Sequence, residues 1–150
     1  MATNAAKATN ATNQTKATNQ TNTERFRTEA NVWLGTTRAD GRPHLVPIWF
    51  VWVHGRVWIA TDANSVKVRN IAAHPFAVVA LEDGNKPVVA EGTAVVHRGP
   101  YPESVDVNAE FVRKYQWNIG TDADGPAVIE ITPTKWLFPS SESYDTTPPT

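Results

Sequence analysis

The ten residues Thr61-Asp62-Ala63-Asn64-Ser65-Val66-Lys67-Val68-Arg69-Asn70 concentrate the groups in this chain that could do chemistry. They follow a predicted strand and open a predicted helix, where unpaired backbone N–H groups and the helix dipole favour an anion. Ser65 can cap that helix or donate its hydroxyl. Lys67 brings a point charge, Arg69 a fork of donors matched to phosphate, and Thr61 a hydroxyl at the strand end. A capped helix with surface cations has the same composition, so the stretch by itself fits both readings. Its neighbour Leu45-Val46-Pro47-Ile48-Trp49-Phe50-Val51-Trp52-Val53 supplies flat apolar β-structure. A phosphate clamp beside Trp-lined strands is what a phosphorylated aromatic cofactor requires.

Other chemistries lack their residues. The absence of cysteine excludes a disulfide framework, thiolate zinc, iron–sulfur clusters and a cysteine nucleophile. His44, His54, His74 and His97 are far apart and at no ligand spacing, so no metal is expected. No Gly-x-Ser-x-Gly elbow, Walker loop or Gly-x-Gly-x-x-Gly turn occurs. The carboxylate pairs Glu82/Asp83 and Asp122/Asp124 fall in turn-like, solvated segments. With 14 Lys+Arg against 15 Asp+Glu the net charge is −1, which provides no field for gripping nucleic acid. No apolar run approaches the roughly 18 residues of a membrane span, and the N-terminus has no signal-peptide core. A cytoplasmic protein with neither a nucleic-acid nor a membrane partner is the expectation.

The 150 residues divide by composition. Residues 1–23 hold seven Thr, six Ala and five Asn, with no acid. They have no apolar surface to offset the entropy of ordering, which predicts a disordered head. The Asn-x-Thr triplets at Asn10, Asn13 and Asn19 follow from the Thr/Asn repeat. Residues 139–150 are Ser/Thr/Pro-rich and read as a flexible tail. The fold therefore belongs to residues 24–138.

Within them, Thr23–Asn31 reads as a short helix, with Thr21 and Glu24 spaced as a capping signal. Val32–Arg38 reads as a strand, Ala39–Arg42 as its turn, and His44–Val53 as a long strand. His54-Gly55 makes a hairpin to Arg56–Thr61. Ser65–Ala73 is a helix stopped at His74-Pro75. Phe76–Glu82 and Val88–His97 are strands, Pro102–Tyr115 a helix, and Ala127–Thr132 and Lys135–Phe138 the closing strands. Short strands with small helices predict a mainly β, barrel-like antiparallel sheet. Along Leu45–Val53 both faces are apolar: Val46, Ile48, Phe50 and Trp52 on one, Leu45, Pro47, Trp49, Val51 and Val53 on the other. A small barrel has one interior, so its outer face needs cover from a helix, a ligand or a second subunit. The helices are short, and a homodimer is expected.

The pieces Leu34-Gly35-Thr36-Thr37-Arg38-Ala39-Asp40-Gly41-Arg42-Pro43-His44, Val46-Pro47-Ile48-Trp49-Phe50, Thr61, Ser65-Val66-Lys67-Val68-Arg69-Asn70-Ile71, His74-Pro75 and Ile129-Glu130-Ile131-Thr132-Pro133-Thr134-Lys135-Trp136 carry a resemblance. In this order the sequence resembles the pyridoxamine-5'-phosphate-oxidase-like split β-barrel family, in its flavin- and deazaflavin-dependent oxidoreductase branch, over residues 24–138. The resemblance implies a homodimer of FMN-binding-like split barrels with cofactors in clefts at the subunit interface. It implies that Pro47, Ile48 and Trp49 lie along the ring. It places Thr61, Ser65 and Lys67 on the phosphate, with Arg69 and Asn70 close by. The Pro-Ile-Trp-Phe and Lys-Val-Arg-Asn-Ile forms are nearer the coenzyme F420 branch, with FMN the alternative cofactor. The C-terminal substrate-binding Arg/His pattern of the true oxidases is not seen in the Ser/Thr/Pro tail. The implied activity is hydride transfer from reduced F420 to a conjugated C=C substrate, and no side chain is nominated as the acid. The alternatives are an FMN oxidoreductase and a non-catalytic flavin- or tetrapyrrole-binding protein.

Overall fold

The computed structural model describes residues 24–99, 104–120 and 125–137. The expected head 1–23 and tail 139–150 lie outside these residues, as do Thr21, Pro102, Asp122 and Asp124. Seven strands follow in chain order: β1 (Asn31–Thr37), β2 (Pro43–Trp49), β3 (Val51–Val53), β4 (Arg56–Thr61), β5 (Phe76–Leu81), β6 (Val89–His97) and β7 (Ala127–Leu137). Two helices are α1 (Val66–Ala73) and α2 (Ser104–Tyr115). Residues 24–28 form a further helical turn. All neighbours in the sheet order β2-β1-β5-β6-β7-β4-β3 pair antiparallel.

The two ends of that order, β2 and β3, are consecutive in the chain. Segment 43–53 therefore leaves one edge of the sheet and joins the other, which curls the sheet into a half-barrel. The expected single strand His44–Val53 is broken at Phe50, and the cause is a competing set of hydrogen bonds. Phe50 N–H donates to Tyr115 Oη at 3.0 Å, and Lys114 Nζ donates to the Phe50 carbonyl at 2.9 Å. With its backbone taken by α2, Phe50 has no groups left for a neighbouring strand. The expected strands Ala127–Thr132 and Lys135–Phe138 are instead one, β7, running through Pro133. Pro133 is tolerated because a bulge lies there: Gly92 pairs with Pro133 and Glu91 with Lys135. The hairpin at His54-Gly55 is as expected, with φ of 55° and 71°, the left-handed pair that tight hairpins use.

Two apolar clusters result. Inside the half-barrel, Val32, Leu34, Phe50, Trp52, Ile59, Val79 and Ile129 pack with Val68 and Ile71 of α1 and with Phe26. Outside it, α2 lays Val107 and Phe111 on Val51, Val53, Trp58 and Val128. The outer face thus has intramolecular cover over β3, β4 and β7, and on β2 only at Trp49, which Tyr115 of α2 meets. Elsewhere over β2, β1 and β5 it is open: Trp33 is 40%, Leu45 62% and Phe76 63% exposed, and Trp49 itself 45%. Among the described residues no helix is long and apolar enough to cross a membrane.

Candidate functional site

α1 is positioned by its cap and by one buried bond. The turn before it is closed by Asn64 N–H donating to Asp62 Oδ1 at 2.7 Å and Ser65 N–H donating to the Asp62 carbonyl at 3.0 Å. Ser65 has extended backbone, and its Oγ accepts from Val68 N–H at 3.5 Å. That contact uses the oxygen as acceptor, so the hydroxyl proton remains to be donated outward. Three residues after Lys67, the Asn70 side chain is 5% exposed and donates from Nδ2 to Thr36 Oγ1 at 3.0 Å. Asn70 therefore pins α1 to β1 and lies beneath the site. Arg69 is exposed on the helix surface, while Thr61, Ser65 and Lys67 are half-buried.

Register brings further groups to the same end of the half-barrel. The β1–β2 hairpin pairs Thr36 with His44, so His44 sits beside the Thr36–Asn70 bond. Arg38 leaves the end of β1, where its N–H donates to the Arg42 carbonyl at 2.9 Å to close the turn. Burial, with the charges of Arg38 and Lys67, holds the His44 imidazole below its ordinary pKa. His44 Nδ1 and Arg38 Nε are both shut off from solvent and make no hydrogen bond among the described residues. Buried polar atoms without partners are costly. A groove of about 540 Å³ runs past His44 along the open face, lined also by Gly35, Thr37, Leu45, Phe76 and Glu91.

The predicted ring-binding strand is β2. It is an edge strand, hydrogen-bonded on one side to β1, so its other edge offers backbone groups to a flat ligand. Pro47 and Trp49 point outward and are exposed, whereas Ile48 turns inward and packs on the core. Trp49 is held rigid: it stacks on Tyr115 at 4.4 Å with 8° between planes and meets Trp117 edge-on at 6.0 Å. Trp117 is thus part of the same subunit's wall.

The structure brings Thr61, Ser65 and Lys67 to the mouth of α1, and Pro47 and Trp49 to the open edge. The sequence reading missed Arg38 and His44. The signal for His44 was the hairpin turn Ala39–Arg42, which by register places residue 44 opposite residue 36. Among the described residues no group of three or more His, Asp or Glu could hold a metal.

The sequence and the fold are both similar to known proteins. The family described as pyridoxamine 5'-phosphate oxidase matches residues 19–139. No curated protein matches the sequence. Among solved structures, an F420 reductase is 20% identical, with a TM-score of 0.58, covering 76% of this chain and 94% of that one. HutZ, the heme storage protein from Vibrio cholerae, is 16% identical at a TM-score of 0.63, covering 77% and 90%. General Stress Protein 26 from Bacillus anthracis is 22% identical at 0.61, covering 77% and 88%. At such identities the structural likeness establishes the fold alone.

Proposed function

Since the chain belongs to the pyridoxamine 5'-phosphate oxidase family, we propose that it is an oxidoreductase that transfers a hydride from reduced coenzyme F420 to a small substrate with a conjugated C=C bond. The observation that carries this reading is a capped helix start bearing hydroxyls and Lys67 in the same half-barrel as an open aromatic edge. Ser65 caps α1, Thr61 and Lys67 stand half-buried on either side of that cap, and the edge strand β2 carries the exposed Trp49. Thr61, Ser65 and Lys67 would hold the phosphate, and the β2 edge from Pro47 to Trp49 would align the ring. The cofactor, when bound, supplies the hydride. Arg69, exposed one turn along α1 from Ser65, is available to the carboxylates of the longer F420 tail. Rigid apolar walls, Trp49 on Tyr115 above all, exclude water from the ring. In this reading the proton comes from solvent.

The open face completes the site. Trp33, Leu45, Trp49 and Phe76 form an apolar surface of the kind a second copy of the chain covers, and the cleft then lies between two subunits. A second reading keeps the fold and the pocket but takes FMN, which also joins a ring to a phosphate. A third, binding of a flavin or tetrapyrrole without turnover, is favoured by the likeness to a heme storage protein.

Matched fluorescence titrations of F420 and FMN into dialysed protein test the reading. Tight binding of F420 alone is expected, with Lys67→Ala weakening it by about 1.5–3 kcal/mol, the range of a charge-assisted contact. Preference for FMN overturns the cofactor assignment. Binding without hydride transfer to any quinone or enone acceptor overturns the catalytic one.

A further inference from the structure

Trp49 is nearly half exposed on the edge strand β2, yet it is fixed in two ways by one residue of α2. The Tyr115 ring lies flat against the indole, with 4.4 Å between centres and 8° between planes. The Tyr115 hydroxyl accepts the N–H of Phe50, the residue that follows Trp49, at 3.0 Å. Its proton is shared between the carbonyls of Phe50, at 2.8 Å, and Ala30, at 2.7 Å. We propose that Tyr115 is the positioning residue of the β2 edge: it holds the Trp49 indole as a preset surface on which the planar ring of the cofactor stacks. This rests on the cofactor reading above and adds to it the residue that sets the geometry of the edge.

Two constraints from one side chain fix both parts of Trp49. Stacking sets the plane of the indole, and the bond to Phe50 sets the backbone that carries it. Trp117 adds an edge-on contact to Trp49 at 6.0 Å and meets Phe111 in the same way at 5.5 Å. Phe111 is fully buried, so the support of Trp49 ends in the outer cluster rather than in solvent. Lys114, one residue earlier in α2, donates to the same Phe50 carbonyl at 2.9 Å, which holds the corner from two adjacent positions. Burial pushes the Tyr115 phenol up to about 12, so its proton is present to be donated throughout the neutral range. An indole fixed before the ligand arrives loses little rotamer freedom on binding. Its flat π-surface takes a flat conjugated ring in offset stacking, a contact that a puckered, saturated ring cannot make over its whole area.

The test joins NMR relaxation on the wild type to a double-mutant cycle, both on the full chain. In the free wild type the Trp49 indole N–H should be as ordered as that of Trp58, which is 1% exposed. A mobile Trp49 indole overturns the proposal before any variant is made. Tyr115→Phe keeps the ring and removes only the hydroxyl, while Trp49→Leu removes the stacking surface at an exposed position. Each is expected to weaken binding of F420, or of FMN if that is the ligand, by about three- to tenfold, the span of an aromatic contact. Each should also diminish the induced circular dichroism of the bound ring, which reports a fixed orientation. The double variant should bind no worse than Trp49→Leu, because Tyr115 acts through Trp49. Losses that multiply in the double variant overturn the proposal and leave the cofactor reading intact. So does wild-type affinity and dichroism in either single variant. If the wild type binds neither F420 nor FMN, the cofactor reading fails and this inference falls with it.

Discussion

Lys114 shows at the level of one residue how this fold uses a charge for architecture. Its Nζ lies 3.7 Å from the centre of the Phe50 ring and donates to the carbonyls of Phe50, at 2.9 Å, and Phe26, at 3.2 Å. These contacts favour the ammonium. Burial outweighs them and, with Arg113 adjacent, pulls the pKa down to about 7. In the unfolded chain the amine titrates at its ordinary 10.5. Between these values the unfolded chain holds a proton that the folded one has shed, so stability rises with pH and is flat below the window. Tyr115, pushed up to about 12 by burial, acts oppositely and only above pH 10. Urea unfolding from pH 7 to 9.5 should therefore show the wild type gaining stability relative to Lys114→Met. The gain should stay below the about 1.4 kcal/mol per pH unit that one proton allows. Parallel curves for the two proteins would show that Lys114 keeps its ordinary pKa.

The elements owe their joints to residues that no local pattern singles out. At the β6–β7 bulge a Cβ on Gly92 would drive into the Thr132 carbonyl, an obstacle of backbone that cannot rotate away. Gly92→Ala should cost at least the about 1–3 kcal/mol of an overpacked site, read as a lower thermal midpoint. Gly84→Ala serves as the control, since a Cβ there meets nothing within 4 Å. Equal midpoints for the two variants would mean that the bulge relaxes freely. Much of this level was legible in the sequence. Ser65 as the cap of α1, the His54-Gly55 hairpin and the span Arg56–Thr61 all follow from turn and cap chemistry within a few residues. The break at Phe50 was not, because Tyr115, which imposes it, lies 65 residues away in sequence.

At the scale of the whole molecule the alternation along segment 43–53 resolves into two fates. Val51 and Val53 are covered by α2, while on the same outer face Leu45 is open and Trp49 is covered on one side only, by Tyr115. Burying such a patch is the usual source of association energy. A single charge at its centre should abolish it: Leu45→Glu is expected to run as a monomer in size-exclusion chromatography with light scattering, where the wild type runs as a dimer. A monomeric wild type at tens of micromolar would refute the shared cleft. Cofactor affinity should fall with the dimer, because half of the cleft wall is then missing.

The sequence by itself determined most of the strand and helix segments, the cap at Ser65 and the apolar doubling of segment 43–53. Each of these depends on residues within one or two turns of each other, where backbone geometry and side-chain period act directly. Tertiary structure alone decided which half of the outer face α2 covers, that β7 runs unbroken through Pro133, and that Asn70 of α1 is pinned to Thr36 of β1. Those outcomes depend on contacts between distant segments. Their energies come from burial and field strength in the folded state, quantities that have no value until the chain has closed on itself.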